Sequence, residues 1–155
     1  MAGVPRRDAA ARLDDPRAAL PERPLTLVLD AGVVLHACAA GDGLELFGGE
    51  ELVAPPLMWS EARSTLHEAV WRREVTRRHA VATLGRLRSA PVRPCEHPLL
   101  GDTAWRVADE LGWAKTYDAE YVALAELLRC RLVTLDARLR RGADRLGYVV
   151  SPAEL

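Results

Sequence analysis

Two apolar segments of the chain each end on an aspartate, and this feature constrains the fold more than any other in the sequence. The run 25–29 leads into Asp30, and the run 132–135 leads into Asp136. Continuous apolar runs of this length are typical of strands that are buried on both faces of a parallel sheet. A carboxylate at the end of such a strand is costly to bury unless something neutralises its charge. Both aspartates are therefore candidates for a functional site.

Segments with strand character and segments with helix character alternate along the chain. This alternation predicts an α/β fold, a three-layer α/β/α sandwich around a mainly parallel sheet. The predicted strands are 25–29, 52–54, 91–95, 131–135 and 148–150, and the predicted helices are 33–39, 57–73, 75–89, 99–111, 116–129 and 137–146. We predict one domain over 25–155, preceded by a flexible or weakly helical arm over 1–24 that four prolines interrupt.

Two further acids lie near the starts of predicted helices. Glu61 falls on the inner face of the helix 57–73, whose apolar positions we predict to be Met58, Ala62, Thr65, Leu66 and Ala69. Asp118 falls in the first turn after Thr116, a predicted N-cap, where the helix dipole favours negative charge. The apolar stripe of that helix is predicted to be Tyr121, Val122, Ala125 and Leu128.

These positions are expected to meet at one edge of the sheet. Open parallel sheets bind ligands at the carboxyl ends of their strands, and the helices carrying Glu61 and Asp118 begin at the same edge. Oxygen ligands suit Mg²⁺ and Mn²⁺, so a cluster of Asp30, Glu61, Asp118 and Asp136 suggests a divalent cation site.

Each acid also has a structural explanation when it is taken alone. Asp30 and Asp136 each precede a helix and could serve as its N-cap. Asp118 could simply be a first-turn acid that the helix dipole stabilises. Glu61 is harder to explain in this way, because an acid on an inner face needs a partner. The four together are less easily explained as separate helix caps.

Four segments of the sequence together resemble the PIN-domain family, and in particular the VapC-type toxins of bacterial toxin–antitoxin pairs. They are LVLDA (27–31), SE (60–61), TYDAEYVALA (116–125) and LVTLDARL (132–139), and the resemblance covers about 25–151. It implies a metal-dependent endoribonuclease in which Asp30, Glu61, Asp118 and Asp136 are the catalytic ligands of Mg²⁺ or Mn²⁺. It also implies a supporting role for Thr134, RNA as the substrate, a cognate antitoxin as partner, and a homodimer.

Arginines outside the acidic cluster are candidates for RNA contacts. Arg72 and Arg73 open an arginine-rich segment, 72–88, which is a candidate RNA-binding or partner-binding face. A solvated helix surface explains this segment equally well. A second group follows Asp136 and consists of Arg138, Arg140 and Arg141. The tryptophans Trp59, Trp71, Trp105 and Trp113 could stack on bases, although packing in the core or at an interface is the simpler interpretation.

Composition excludes several classes of protein. The net charge of −1 predicts no global attraction to nucleic acid or to a membrane surface, and no apolar run reaches the ~20 residues of a membrane span. The three widely spaced cysteines do not suggest a disulfide framework and favour a reducing cytoplasm.

Two other functions compete with a ribonuclease. An aspartate after a strand is also typical of haloacid-dehalogenase phosphatases, but these use a second aspartate two residues later, where this chain has Gly32. The second alternative is a non-catalytic PIN-like module that binds RNA or protein. The presence of all four acids argues against it.

Overall fold

Five short parallel strands form the centre of the structure, a computed structural model that describes residues 25–41 and 43–155. The strands are β1 (Thr26–Leu29), β2 (Glu51–Ala54), β3 (Val92–Pro94), β4 (Arg131–Val133) and β5 (Val149–Val150). The α-helices are α1 (Ala31–Ala40), α2 (Leu57–Trp71), α3 (Arg77–Arg88), α4 (Leu100–Leu111), α5 (Tyr117–Leu128) and α6 (Ala137–Ala143). Short 3-10 turns cover Gly43–Phe47, Asp144–Leu146 and Pro152–Glu154.

The strands lie in the order β3-β2-β1-β4-β5, and all four neighbouring pairs are parallel. The chain moves outward from β1 through β2 to β3, then crosses back to β4 and continues to β5. The direction of winding therefore reverses between β1 and β4, which is the topological switch point of the sheet. Such a reversal opens a crevice at the carboxyl ends of the two strands, where α/β proteins place their ligand sites.

Helices cover both faces of the sheet, which confirms the predicted sandwich. Helix α1 packs against α2 and α3, and α4 packs against α5. Because crossovers between parallel strands are right-handed, α1–α3 lie on one face and α4–α6 on the other. Between the layers, Val28, Leu29, Val53, Leu132 and Val133 are fully buried, as the apolar runs predicted.

Helix α5 is buried more completely than its sequence pattern predicted. Every residue from Tyr121 to Ala125 is buried, whereas Leu128 is only half-buried, so the prediction of a single apolar stripe is wrong. The reason is that α5 packs on both β1 and α4, which cover different sides of the helix. Thr116 occupies the predicted N-cap position, but its side chain makes no capping hydrogen bond.

The inner faces of α2 and α3 also differ in part from the prediction. On α2, Met58, Ala62 and Leu66 are buried as expected, but Thr65 is exposed. On α3, predicted as the helix 75–89 with apolar positions at Val75, Ala82 and Leu87, Ala82 is exposed. Three residues of this helix are buried. They are Ala80, Thr83 and Leu87. One residue of the arginine-rich segment is structural, because the Arg86 guanidinium donates to two carbonyls in the last turn of α1.

Several predictions concern features away from the sheet. The prediction of an arm over 1–24 lies outside the described residues. In the described ranges, Cys38, Cys95 and Cys130 are free thiols. None of the helices described combines the length and the apolar character that crossing a bilayer requires.

Candidate metal centre

Asp30 lies between β1 and α1 with only 7% of its surface exposed. Its Oδ1 accepts a hydrogen bond of 2.7 Å from the Val33 N–H, so the residue is the N-cap of α1. Its Oδ2 accepts a hydrogen bond from the Thr134 hydroxyl. Burial raises the pKa of Asp30 to about 6; the hydrogen bonds from Thr134 and Val33 oppose this rise, and the charges of Glu61 and Asp136 add to it.

Thr134 joins the carboxyl ends of the two central strands. Its side chain is fully buried, and its hydroxyl accepts a 2.9 Å hydrogen bond from the Asp136 N–H while donating to Asp30. One hydroxyl therefore ties the Asp30 carboxylate to the backbone that carries Asp136. This places Thr134 beside two of the predicted site residues.

Asp136 is exposed and lies beyond the end of β4 at Val133, which is shorter than the predicted strand. Its Oδ1 accepts hydrogen bonds from the N–H groups of Arg138 (2.7 Å) and Leu139 (3.2 Å), so it caps α6. Both strand-end aspartates are thus helix N-caps. Each cap uses a single oxygen, Oδ1, so capping does not occupy the whole carboxylate.

Glu61 has a buried partner that sequence reasoning missed. The Tyr121 hydroxyl donates a 2.7 Å hydrogen bond to Glu61 Oε2, and Tyr121 is only 2% exposed. The sequence pattern predicts Tyr121 only as part of the apolar stripe of its helix. The available signal was its position three residues after Asp118, which places both side chains on one side of α5. The partner itself lies 60 residues away in sequence and could not be read from a local pattern.

Asp118 lies in the first turn of α5 with 43% of its side chain exposed. Burial raises its pKa, the charge of Asp136 adds to the rise, and Arg138 opposes it. Arg138 Nη2 lies 4.0 Å from Asp118 Oδ2. Asp118 therefore belongs electrostatically to the same acidic group as Asp136.

The four predicted acids line a single cavity of about 170 Å³ at the carboxyl edge of the sheet. Tyr121, Thr65 and Leu139 complete part of its wall. Within the described ranges, no three Asp, Glu, His or Cys side chains are close enough together to hold one ion as they stand. Mg²⁺ commonly keeps several waters and binds through one or two carboxylates. The donor set therefore fits a hydrated Mg²⁺ or Mn²⁺ better than a fully dehydrated ion.

The candidate RNA-binding arginines differ in their surroundings. Of these candidates, Arg138 has a described ion-pair contact with an acid that lines the cavity, Asp118. Arg72 pairs with Glu68 on the surface, and Arg140 Nη2 lies 2.6 Å from a carboxylate oxygen of Glu154. Arg73 and Arg141 are exposed. Among the candidate arginines, Arg138 is therefore the one that the described contacts place at the acid-lined cavity.

The parallel sheet, its switch point and the acid-lined cavity define a PIN domain, and a family model described as PIN domain matches residues 27–145. The chain belongs to the PIN-domain family. It is 37% identical over 119 residues to a VapC ribonuclease of Mycobacterium bovis and to ribonuclease VapC9 of Mycobacterium tuberculosis, an overlap of 73% of this chain and 87% of each relative. The crystal structure of PAE2754 from Pyrobaculum aerophilum superposes with a TM-score of 0.66 at 27% identity, covering 86% of this chain and 90% of that one.

Proposed function

We propose that this chain is an endoribonuclease and the toxin of a toxin–antitoxin pair. The observation that carries the proposal is the cavity at the switch point of the sheet, which Asp30, Glu61, Asp118 and Asp136 line together. Relatives that share 37% of aligned residues are named ribonucleases, which supports RNA as the substrate.

The same four acids are the proposed ligands of Mg²⁺ or Mn²⁺. When bound, the ion would activate a water for attack on the phosphodiester and neutralise charge on the leaving oxygen. The protein holds the carboxylates in place beforehand: Thr134 orients Asp30, the cap of α6 orients Asp136, and Tyr121 orients Glu61. A cation would also relieve the repulsion that contributes to the raised pKa of Asp30.

Metal-dependent cleavage is the first prediction of this proposal. The native chain is expected to cut a fluorescently labelled single-stranded RNA when Mn²⁺ or Mg²⁺ is present and to stop when EDTA is added. Gel analysis of the products measures this directly. An Asp30→Asn variant purified in the same way is the control for contaminating nucleases, and equal cleavage by that variant would contradict the proposal.

The alternative is a PIN-like module that binds RNA or protein without cutting it. Its supporting observation is that no three acidic side chains described are already close enough to ligate an ion. Under this alternative, the RNA would stay intact with either metal while its binding to the protein, measured by fluorescence anisotropy, persisted.

Removing the Tyr121 hydroxyl should weaken metal binding. Tyr121→Phe keeps the buried ring but frees the Glu61 carboxylate from its 2.7 Å hydrogen bond. Loss of a group that orients a metal ligand typically lowers metal affinity about 10–100-fold, and we expect a decrease in this range for Mn²⁺ by isothermal titration calorimetry. The control is Tyr117→Phe, on the same helix but 62% exposed. Equal Mn²⁺ affinities for the two variants would show that Tyr121 does not position Glu61.

A homodimer and a cognate antitoxin complete the proposal. Trp71 and Val81 are 81% and 62% exposed on α2 and α3, which provides apolar surface for a partner. Light scattering at micromolar concentration is expected to give the mass of two chains, and a monomer would count against the dimer while leaving the nuclease intact.

A further inference from the structure

A second cavity, which we call the side pocket, adjoins the candidate metal centre. It has a volume of about 400 Å³ and is lined by residues 112–115, which connect α4 to α5, and by residues from the starts of α5 and α6. Asp118 and Leu139 line both cavities, so the two spaces lie on either side of a shared wall. A polymer with one group at the acids therefore has room for a neighbouring group in the side pocket.

Trp113 supplies an aromatic ring that is held in place by close backbone contact. The backbone N–H of Trp113 closes the end of α4 through a 2.8 Å hydrogen bond to the Ala108 carbonyl. Its indole packs on Gly142 of α6 so closely that a Cβ at that position would lie 3.1 Å from the ring. Trp113 is half-buried and lines the side pocket. A ring fixed in this way loses little conformational entropy when a planar group stacks on it.

Two cationic side chains border the same space. Lys115, the one lysine of the whole sequence, is exposed in the connection that follows Trp113. Arg138 lines the same pocket with 82% of its side chain exposed. Its contact with Asp118 is long, at 4.0 Å, and exposed ion pairs are weak. Arg138 can therefore turn to another anion at small cost.

We propose that the side pocket binds the nucleotide next to the scissile phosphate of single-stranded RNA. The base stacks on Trp113, and Lys115 and Arg138 contact the phosphate of that nucleotide. Stacking on aromatic rings combined with cationic backbone contacts is how proteins hold single strands. This inference rests on the proposed ribonuclease function and adds a specificity subsite to it. RNA is favoured over a protein partner because the pocket shares Asp118 with the cavity in which the scissile phosphate must lie.

The first test uses the native protein and an altered RNA. A series of fluorescein-labelled RNAs carries one abasic nucleotide that is moved along the strand, and each RNA is titrated in EDTA by fluorescence anisotropy. One abasic position is expected to weaken binding about tenfold, since stacking of a base on an aromatic ring contributes a factor of this order. The abasic position that weakens binding must also lie next to the bond that the native chain cleaves when metal is present. Equal affinities across the series would overturn the proposal.

Variants then identify the ring. Trp113→Ala is expected to weaken binding of the intact RNA about tenfold and to abolish the penalty of the abasic position, whereas Trp113→Phe should retain both. Trp105→Ala is the matched control, because Trp105 is 67% exposed and does not line either cavity. If the Ala variant fails to fold, the Phe variant and the abasic series still test the proposed subsite. An abasic penalty that persists unchanged in Trp113→Ala would refute the assignment and leave the pocket to a protein partner.

The charge contacts have a separate readout. Log affinity falls as log salt rises, and Lys115→Gln is expected to reduce the magnitude of this negative slope by about one. Arg131→Gln, at the opposite edge of the sheet, should not change it. An unchanged slope for Lys115→Gln would remove Lys115 from the subsite. These measurements are made in EDTA, so a native chain that binds RNA in this manner but never cuts it would refute the proposed function and not the subsite.

Discussion

Asp118→Asn is expected to lower metal-dependent RNA cleavage by at least about a hundredfold, since a metal ion supplies several kcal/mol of transition-state stabilisation. The substitution keeps the size of the side chain and removes one negative charge from the group that includes Asp136. The metal-free protein should be as stable as the native chain or more so, because burial and repulsion already disfavour the charged form of Asp118.

The competing interpretation of Asp118 makes the opposite prediction. If the carboxylate serves only the dipole of α5, the Asn variant should lose roughly 0.3–1 kcal/mol of stability and keep its activity. Urea unfolding in EDTA, measured alongside RNA cleavage in Mn²⁺, separates the two. Lost stability with retained cleavage would refute the assignment of Asp118 as a metal ligand.

The second large effect concerns the pH dependence of stability through Asp30. Its pKa is 3.8 in the absence of structure and about 6 in the folded chain, so the folded state binds the proton more tightly. In the absence of metal, folding is therefore favoured as the pH falls through about 6, and the gain approaches its limit near the lower pKa. The two values differ by an amount that corresponds to at most about 3 kcal/mol.

The measurement compares native chain and Asp30→Asn by urea unfolding in EDTA between about pH 8 and pH 5. Asn is a good N-cap and can still accept the hydrogen bond from Val33. Titrating groups that do not interact with Asp30 cancel in the difference between the two proteins. The stability of the native chain should rise relative to the variant as the pH falls. A constant difference across the range would show that the charge of Asp30 does not destabilise the folded protein. Mn²⁺ affinity should fall over the same interval, since the ligand must be ionised.

Much of the architecture was predictable because its signals are local. The apolar runs before Asp30 and Asp136 predicted β1 and β4, and each aspartate precedes a helix that it caps. Parallel strands joined by helices bring such strand ends to one edge whatever the details of packing. The boundaries were less accurate: β4 ends at Val133, because the chain leaves the sheet before the apolar residues end.

Predictions of burial failed where two layers meet a single helix. A sequence pattern predicts one buried stripe, as for α5, but the number of covered sides depends on which elements pack around it. The prediction that Thr65 is buried was wrong for a related reason. Thr65 has helical spacing with the core residues of α2, yet it faces the acid-lined cavity and remains exposed. The hydrophobic periodicity of a helix does not show where an open site interrupts its buried face.

The sequence alone determined that strands and helices alternate and that four acids lie at strand ends and helix starts, because backbone propensity and hydrophobic periodicity act over a few residues. Only the tertiary structure decided which groups surround those acids. Tyr121 reaches Glu61 across 60 residues and Thr134 reaches Asp30 across 104. The indole of Trp113 lies beside the site because Gly142 of another helix allows it to approach. Contacts at this separation depend on how the layers pack, and no local pattern specifies that packing.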